Sequence, residues 1–137
     1  MLDKHGPDRE IRWKQRFENL EKAFKLLQEA AEAEELSRLE EEGLIQRSEY
    51  TFELCWKTIK DYLQAEGVEV TYPREVLKSA FQYELVTQGE RWLDMLDRRN
   101  KLAHTYNEAA FTESVTAVRR EFYPAMVELV STLRGRL

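Results

Sequence analysis

Residues 99–106 contain the side chains of this sequence that are best suited to chemistry. Within these positions Arg99, Asn100, His104 and Tyr106 supply a cation, an amide, an imidazole and a phenol. An imidazole with an ordinary pKa of about 6.5 exchanges protons near neutral pH, and a guanidinium presents a planar fork of donors to phosphate oxygens. Together these groups suit the cleavage of a phosphodiester.

RNA is the phosphodiester that needs the fewest protein groups, because its 2′-hydroxyl is a built-in nucleophile. A base that removes the hydroxyl proton and a cation that stabilises the crowded phosphate are then enough. The sequence has no cluster of His, Asp and Cys at metal-ligand spacing, so we expect neither a metal site nor a cofactor. An acid for the leaving group is missing, and a second His104 from a symmetric homodimer would supply it.

The geometry of a helix limits how Arg99 and His104 can meet. On a regular helix they would lie about 140° apart around the axis. Either the helix ends near Ala103 and His104 swings back, or the arginine of one subunit meets the histidine of another. A non-catalytic alternative also remains, since Arg and His near a helix end commonly contact its last carbonyls and stabilise its dipole. The second histidine, His5, lies in a polar N-terminal segment.

Length and composition indicate one domain. The chain has 137 residues, of which 42% are hydrophobic and 34% charged, enough for one core and too few for two. We expect a disordered tail over residues 1–8 and a single helical domain over residues 9–135. The formal charge of -5 argues against a protein that coats nucleic acid, so an RNA contact requires a local basic patch such as Arg98, Arg99 and Lys101.

Cysteine content and hydropathy bear on location. Cys55 is the single cysteine, which excludes an intramolecular disulfide, and it lies in an apolar run where a thiol is usually a buried hydrophobe. A cytoplasmic location is therefore expected. No stretch approaches the roughly 18 apolar residues of a membrane span, so no membrane contact is predicted.

Helical periodicity dominates the sequence and predicts an all-α, antiparallel up-and-down bundle of four to five helices. The first helix carries an apolar stripe of Trp13, Phe17, Leu20, Phe24, Leu27 and Ala31. An acidic stretch over residues 32–42 is either a helix end or a connection closed by Gly43. The second helix is expected over residues 44–66, with Ser48, Phe52, Cys55, Ile59 and Tyr62 along one face, and Gly67 ends it.

The second half of the chain continues the helical pattern. Residues 68–72 are a connector, and Pro73 begins a short third helix whose apolar face is Val76, Leu77, Ala80, Phe81 and Leu85. A fourth helix contains Trp92 and leads into residues 99–106. The last helix has an apolar stripe from Phe111 to Leu133, and Pro124 should kink it because proline lacks a backbone donor.

The order Arg99, four residues, His104, one residue, Tyr106, with Asn100 directly after the arginine, resembles the signature of HEPN domains. It is most similar to HepT-like HEPN proteins encoded with a minimal nucleotidyltransferase, which are also described as nucleotidyltransferase substrate-binding proteins. The sequence GLIQRSEYTFELCWK over residues 43–57 is similar to the second helix of that family, and RRNKLAHTY over residues 98–106 to its catalytic helix end. The resemblance extends from about Trp13 to Leu133.

This resemblance implies specific roles. It implies a dimeric helical bundle with the motif in a cleft between subunits, and a metal-independent endoribonuclease in which Arg99 and His104 are catalytic and Asn100 is a supporting polar group. It also implies a toxin–antitoxin pair in which the partner nucleotidyltransferase transfers AMP to Tyr106. The added phosphate would lie beside Arg99, where it would neutralise the cation and block RNA.

Three functions therefore remain open. The chain is an RNA-cleaving enzyme, a non-catalytic subunit that presents a substrate or itself to a nucleotidyltransferase, or a structural module that only dimerises. For the enzyme, His104→Ala should abolish RNA cleavage, and for the binding subunit, Tyr106→Phe should prevent AMP transfer. For the structural module, neither change should affect more than local stability.

Overall fold

Helices account for all regular secondary structure in the part of the chain that the structure describes. The computed structural model describes the backbone of residues 6–102 and 107–137, and the side chains of residues 7–99 and 107–137. The elements are α1 (Gly6–Ala31), α2 (Arg38–Ala65), α3 (Pro73–Gln82), α4 (Gly89–Leu102), α5 (Glu108–Ala117), a π-helical segment (Val118–Phe122) and α6 (Tyr123–Arg134). The predicted all-α helical bundle is confirmed.

The two longest helices, α1 and α2, form a hairpin around which the rest of the core is built. The predicted α1 stripe is buried throughout, from Trp13 at 0% exposure to Phe24 at 8%. The face predicted for α2 is likewise buried, including Cys55. α1 begins at Gly6, so residues 6–8, assigned to the tail from the sequence, belong to the first helix.

The start of α2 differs from the sequence prediction. Gly43 does not close the acidic stretch, because α2 begins at Arg38 and Gly43 lies inside the helix. Ser37 is the N-cap: its hydroxyl accepts from the backbone N–H of Glu40, whose carboxylate in turn accepts from the N–H of Ser37. This capping box satisfies two otherwise unpaired donors and begins the helix six residues earlier than expected.

Two other turns agree with the sequence more closely. Gly67 follows the C-cap of α2 and has a φ of 88°, a left-handed conformation that glycine adopts without steric cost. α3 begins at Pro73 with Tyr72 as its N-cap. The assignment of Phe81 to the apolar face of α3 is wrong, since Phe81 is 55% exposed. Phe81 lies so close to Gly89 that a Cβ at that position would come within 3.1 Å of its Cβ and Cγ atoms.

The last helical stretch runs from α5 through the π-helical segment into α6 without leaving helical backbone angles. The N–H of Tyr123 bonds the carbonyl of Val118, five residues earlier. Pro124 lies at the first turn of α6, so the wider turn lies next to the residue that lacks a donor. The irregularity predicted at Pro124 therefore takes the form of a π turn.

None of the described helices is both long enough and apolar enough to cross a lipid bilayer.

Candidate functional site

Arg99 lies near the C-terminal end of α4, and the packing of that helix determines which way it faces. Trp92, Met95 and Leu96 are 1–5% exposed and turn one side of α4 toward the core. Arg99 follows Met95 and Leu96 by one helical turn, so it projects from the edge of the same side. That edge lies against α2.

A carboxylate of α2 receives the Arg99 guanidinium. Arg99 Nη1 donates to Glu53 Oε1, and the second oxygen, Oε2, accepts from the indole Nε1 of Trp56 at 2.9 Å. The guanidinium carbon also lies 5.9 Å from the centre of the Phe52 ring. Residues of one α2 segment thus surround the cation predicted to act in catalysis.

Arg98, although adjacent in sequence, has different partners. It donates to Glu113 of α5 at 2.9 Å and to Asp94 at 3.4 Å, and its guanidinium carbon lies 5.8 Å from the centre of the Phe122 ring. The hydrogen bond to Glu113 is the main cause that raises the pKa of Arg98. Arg98 therefore links α4 to the last helix.

A cleft lies between α2, α4 and the last helical stretch, and both arginines border it. Its empty space is about 400 Å³ with the open mouth included. The apolar wall consists of Ile45, Phe52, Met95, Val118, Phe122 and Met126. On the polar rim, Glu49 lies one turn before Glu53, and partial desolvation by the surrounding protein raises the pKa of its carboxyl group. The predicted basic patch is thus largely offset by carboxylates wherever the side chains are described.

A second contact fixes the chain just after the motif. Arg38, at the start of α2, donates two hydrogen bonds to Glu108, at 2.7 and 2.8 Å, and its guanidinium carbon lies 3.9 Å from the centre of the Phe111 ring. Asn107 caps α5 by accepting from the N–H of Ala110. The segment between Arg99 and Glu108 is therefore attached to α2 at both ends, at positions about 22 Å apart along that helix.

Comparison with known proteins identifies the family. Residues 15–135 match the family described as "Nucleotidyltransferase substrate binding protein like". The chain belongs to this family. It is also 28% identical over 102 residues to a protein named "Probable ribonuclease HepT" from Haemophilus influenzae, an overlap of 69% of this chain and 67% of that protein. The resemblance to HepT-like HEPN proteins is confirmed.

A solved structure has the same fold. The crystal structure of a protein from Thermus thermophilus superposes with a TM-score of 0.71 at 36% sequence identity, covering 85% of this chain and 97% of the other. The overall helical arrangement is therefore one that a similar chain adopts.

The structure describes only some of the predicted site residues of this HepT-like protein. Arg99 is described with its contacts, and Asn100 lies within α4 with its side chain outside the described part. His104 and Tyr106 lie outside the described residues, as do the Lys101 side chain and His5. Sequence reasoning missed Glu53, although it lies within the segment 43–57 that carried the family resemblance.

Proposed function

We propose that this protein is a metal-independent HEPN-type endoribonuclease in which Arg99 and His104 are catalytic and Asn100 supports them. The observation that carries the proposal is the relationship to a protein named as a probable ribonuclease, in a chain that retains both residues at the expected spacing. The position of Arg99 in the lining of a cleft adds support.

The reaction follows from the chemistry of RNA. A basic imidazole, His104, removes the proton of a 2′-hydroxyl, and the oxygen attacks the adjacent phosphorus while the bond to the 5′-oxygen breaks. The Arg99 cation stabilises the charge that develops on the phosphate. The 5′-oxygen takes a proton from an acid, for which a second His104 in a homodimer is the candidate. The products are a 2′,3′-cyclic phosphate and a 5′-hydroxyl.

The test compares purified wild type with His104→Ala on a pool of single-stranded and structured RNA in EDTA. Cleavage by wild type alone, with cyclic phosphate ends, supports the proposal. Thermal unfolding of both proteins controls for a loss of fold. Equal cleavage by both would indicate a contaminating nuclease and remove the support for His104.

We further propose that the protein is the cytoplasmic toxin of a pair whose antitoxin is a minimal nucleotidyltransferase that transfers AMP to Tyr106. The family description names nucleotidyltransferase substrate binding, and this also favours the second candidate function, a non-catalytic substrate-binding subunit. For both candidate functions, Tyr106→Phe should abolish AMP transfer. The two functions differ in the effect of AMP transfer to the wild-type protein, because only a toxin has RNA cleavage to lose when it is modified.

A further inference from the structure

The Glu53 carboxylate is bound from two sides. Its Oε2 accepts from Trp56 Nε1, three residues later on the same helix, at 2.9 Å, and its Oε1 accepts from Arg99 Nη1 of α4. The Trp56 side chain is itself buried at 8% exposure. An acceptor fixed by a buried indole has little rotational freedom left, so the orientation of Glu53 is determined within α2.

The surroundings of the ion pair distinguish it from a surface salt bridge. The Arg99 and Glu53 side chains are 31% and 33% exposed, and the Phe52 ring lies 5.9 Å from the guanidinium carbon. Partial removal from water strengthens the attraction and reduces its sensitivity to salt. An arginine otherwise has several free rotors, and ordering them in advance lowers the cost of binding a phosphate in one geometry.

The neighbouring Arg98 provides a comparison within the same helix. Its carboxylate partners Glu113 and Asp94 have side chains that are 67% and 47% exposed, and among the described residues neither carboxylate accepts from a ring N–H. The Arg98 side chain is 26% exposed, but its carboxylate partners are more exposed than Glu53, so water competes more strongly for them. The fixed carboxylate therefore belongs to Arg99, the arginine of the motif.

We infer that Glu53 is a positioning residue for Arg99: it holds the guanidinium at the cleft in the orientation that receives the scissile phosphate. The inference rests on the proposed ribonuclease function. The alternative is that Glu53 competes with RNA: its carboxylate occupies an Arg99 donor that the phosphate needs, and so weakens the binding of RNA.

The experiment compares wild type, Glu53→Gln and the matched control Glu113→Gln on the same RNA in EDTA. Glutamine keeps the size and an acceptor of Glu53 but removes its charge. We expect Glu53→Gln to lower kcat by roughly 10- to 100-fold with a smaller change in KM, because misplacement of a catalytic cation affects the transition state most. Glu113→Gln should cleave like wild type. In an Arg99→Ala background Glu53→Gln should cause no further loss.

Side-chain NMR of Arg99, labelled with ¹⁵N, provides a readout that needs no activity. We expect a distinct Nε–H signal in wild type that broadens or shifts in Glu53→Gln and is unchanged in Glu113→Gln. Cleavage by Glu53→Gln within twofold of wild type overturns the inference. Faster cleavage by Glu53→Gln also overturns it and supports competition between Glu53 and the phosphate. If wild type cuts no RNA, the ribonuclease proposal fails separately, and an unchanged Arg99 signal in Glu53→Gln then overturns the positioning role as well.

Discussion

Arg98 and Arg99 are adjacent in the sequence, but the helix separates them by about 100° around its axis. Arg99 therefore faces α2 and Glu53, whereas Arg98 faces α5 and Glu113. The motif spacing identifies Arg99 in the sequence, but the different partners of the two arginines follow from the rotation of α4, which the burial of Trp92 fixes. This packing turns the motif arginine toward α2 and its neighbour toward α5.

Another arginine–carboxylate pair joins a partly exposed arginine to a buried carboxylate and tests how much such pairs stabilise the fold. Arg16 Nε donates to Asp61 Oδ2 at 2.5 Å, and Asp61 is 2% exposed. Asp61→Ala should lower the free energy of unfolding by about 2 kcal/mol, because it removes a charge-assisted hydrogen bond from a partly desolvated arginine. Urea denaturation measures the change.

The control for Asp61 is the exposed pair between Arg74 and Asp97, which has a similar length of 2.7 Å but side chains that are each 50% exposed. Asp97→Ala should cost less than about 1 kcal/mol, since water and salt screen the pair. Equal losses in the two variants would contradict the role assigned to burial.

At the scale of helices, the sequence predicts faces better than ends. Apolar stripes in α1 and α2 specify buried faces because a spacing of three and four residues has a direct geometric meaning. The prediction that Gly43 closes the acidic stretch is wrong because the capping box at Ser37 fixes the start of the helix, and glycine is tolerated inside it. The prediction that Phe81 belongs to the buried face of α3 is wrong because Gly89, which has no side chain, leaves room for Phe81 beside the start of α4. These outcomes depend on neighbours, which periodicity does not reveal.

The capping box that begins α2 makes a testable contribution to stability. Ser37→Ala should destabilise the protein by about 1 kcal/mol, because it removes the oxygen that accepts from the N–H of Glu40. Chemical denaturation measures the loss. A Ser37→Asp variant, which retains an acceptor, should remain close to wild type.

The same motif predicts a pH dependence. The hydrogen bond from the Ser37 backbone to the Glu40 carboxylate is the first cause that lowers the pKa of Glu40 from its ordinary value of 4.5. A carboxyl group whose pKa is lower in the folded state stabilises the fold above its unfolded pKa, and this contribution is lost as the pH falls through the folded value. Glu40→Gln should therefore show a smaller drop in Tm than wild type between about pH 6 and pH 3. An identical drop would contradict this linkage.

The π-helical segment presents Arg119 to the end of α1. Arg119 Nε donates to the carbonyl of Ala31 at 3.3 Å, and Nη2 donates to the carbonyl of Ala33. These carbonyls lie at and just beyond the last turn of α1, where helical partners are lacking. Arg119→Ala should lower stability by roughly 1–2 kcal/mol, measured by thermal unfolding, whereas Arg120→Ala, at an exposed neighbouring position, should change it by less than about 0.5 kcal/mol.

The candidate site shows the same division between pattern and neighbour. Arg99 is identified from the sequence because it belongs to a local motif, and the motif is read without knowing the fold. Glu53 lies 46 positions earlier, in a helix that has several other glutamates, and the packing of α4 on α2 brings it to Arg99. A glutamate between two buried aromatic residues, Phe52 and Trp56, is the signal that sequence reasoning can use in related chains.

At the scale of the whole molecule, the distribution of charge bears on the proposed cleavage of RNA. The formal charge is -5, and the carboxylates of Glu49, Glu53 and Glu113 lie near the two described arginines of the cleft. A protein with few phosphate contacts has a shallow dependence of affinity on salt. If the protein cleaves RNA as proposed, recognition should therefore depend on a restricted local geometry, with a second subunit as a candidate source of further groups.

Mixed dimers test whether the second subunit completes the site. If one cleft needs His104 from both subunits, as base and as acid, a dimer with one His104→Ala subunit is inactive. An equal mixture of wild type and His104→Ala, formed by co-expression, should then retain about one quarter of the wild-type activity, because only about a quarter of random dimers have two intact subunits. Independent sites would retain about one half. Native mass spectrometry of the same sample gives the fraction of each dimer, so the cleavage rate can be assigned to homodimers or mixed dimers directly.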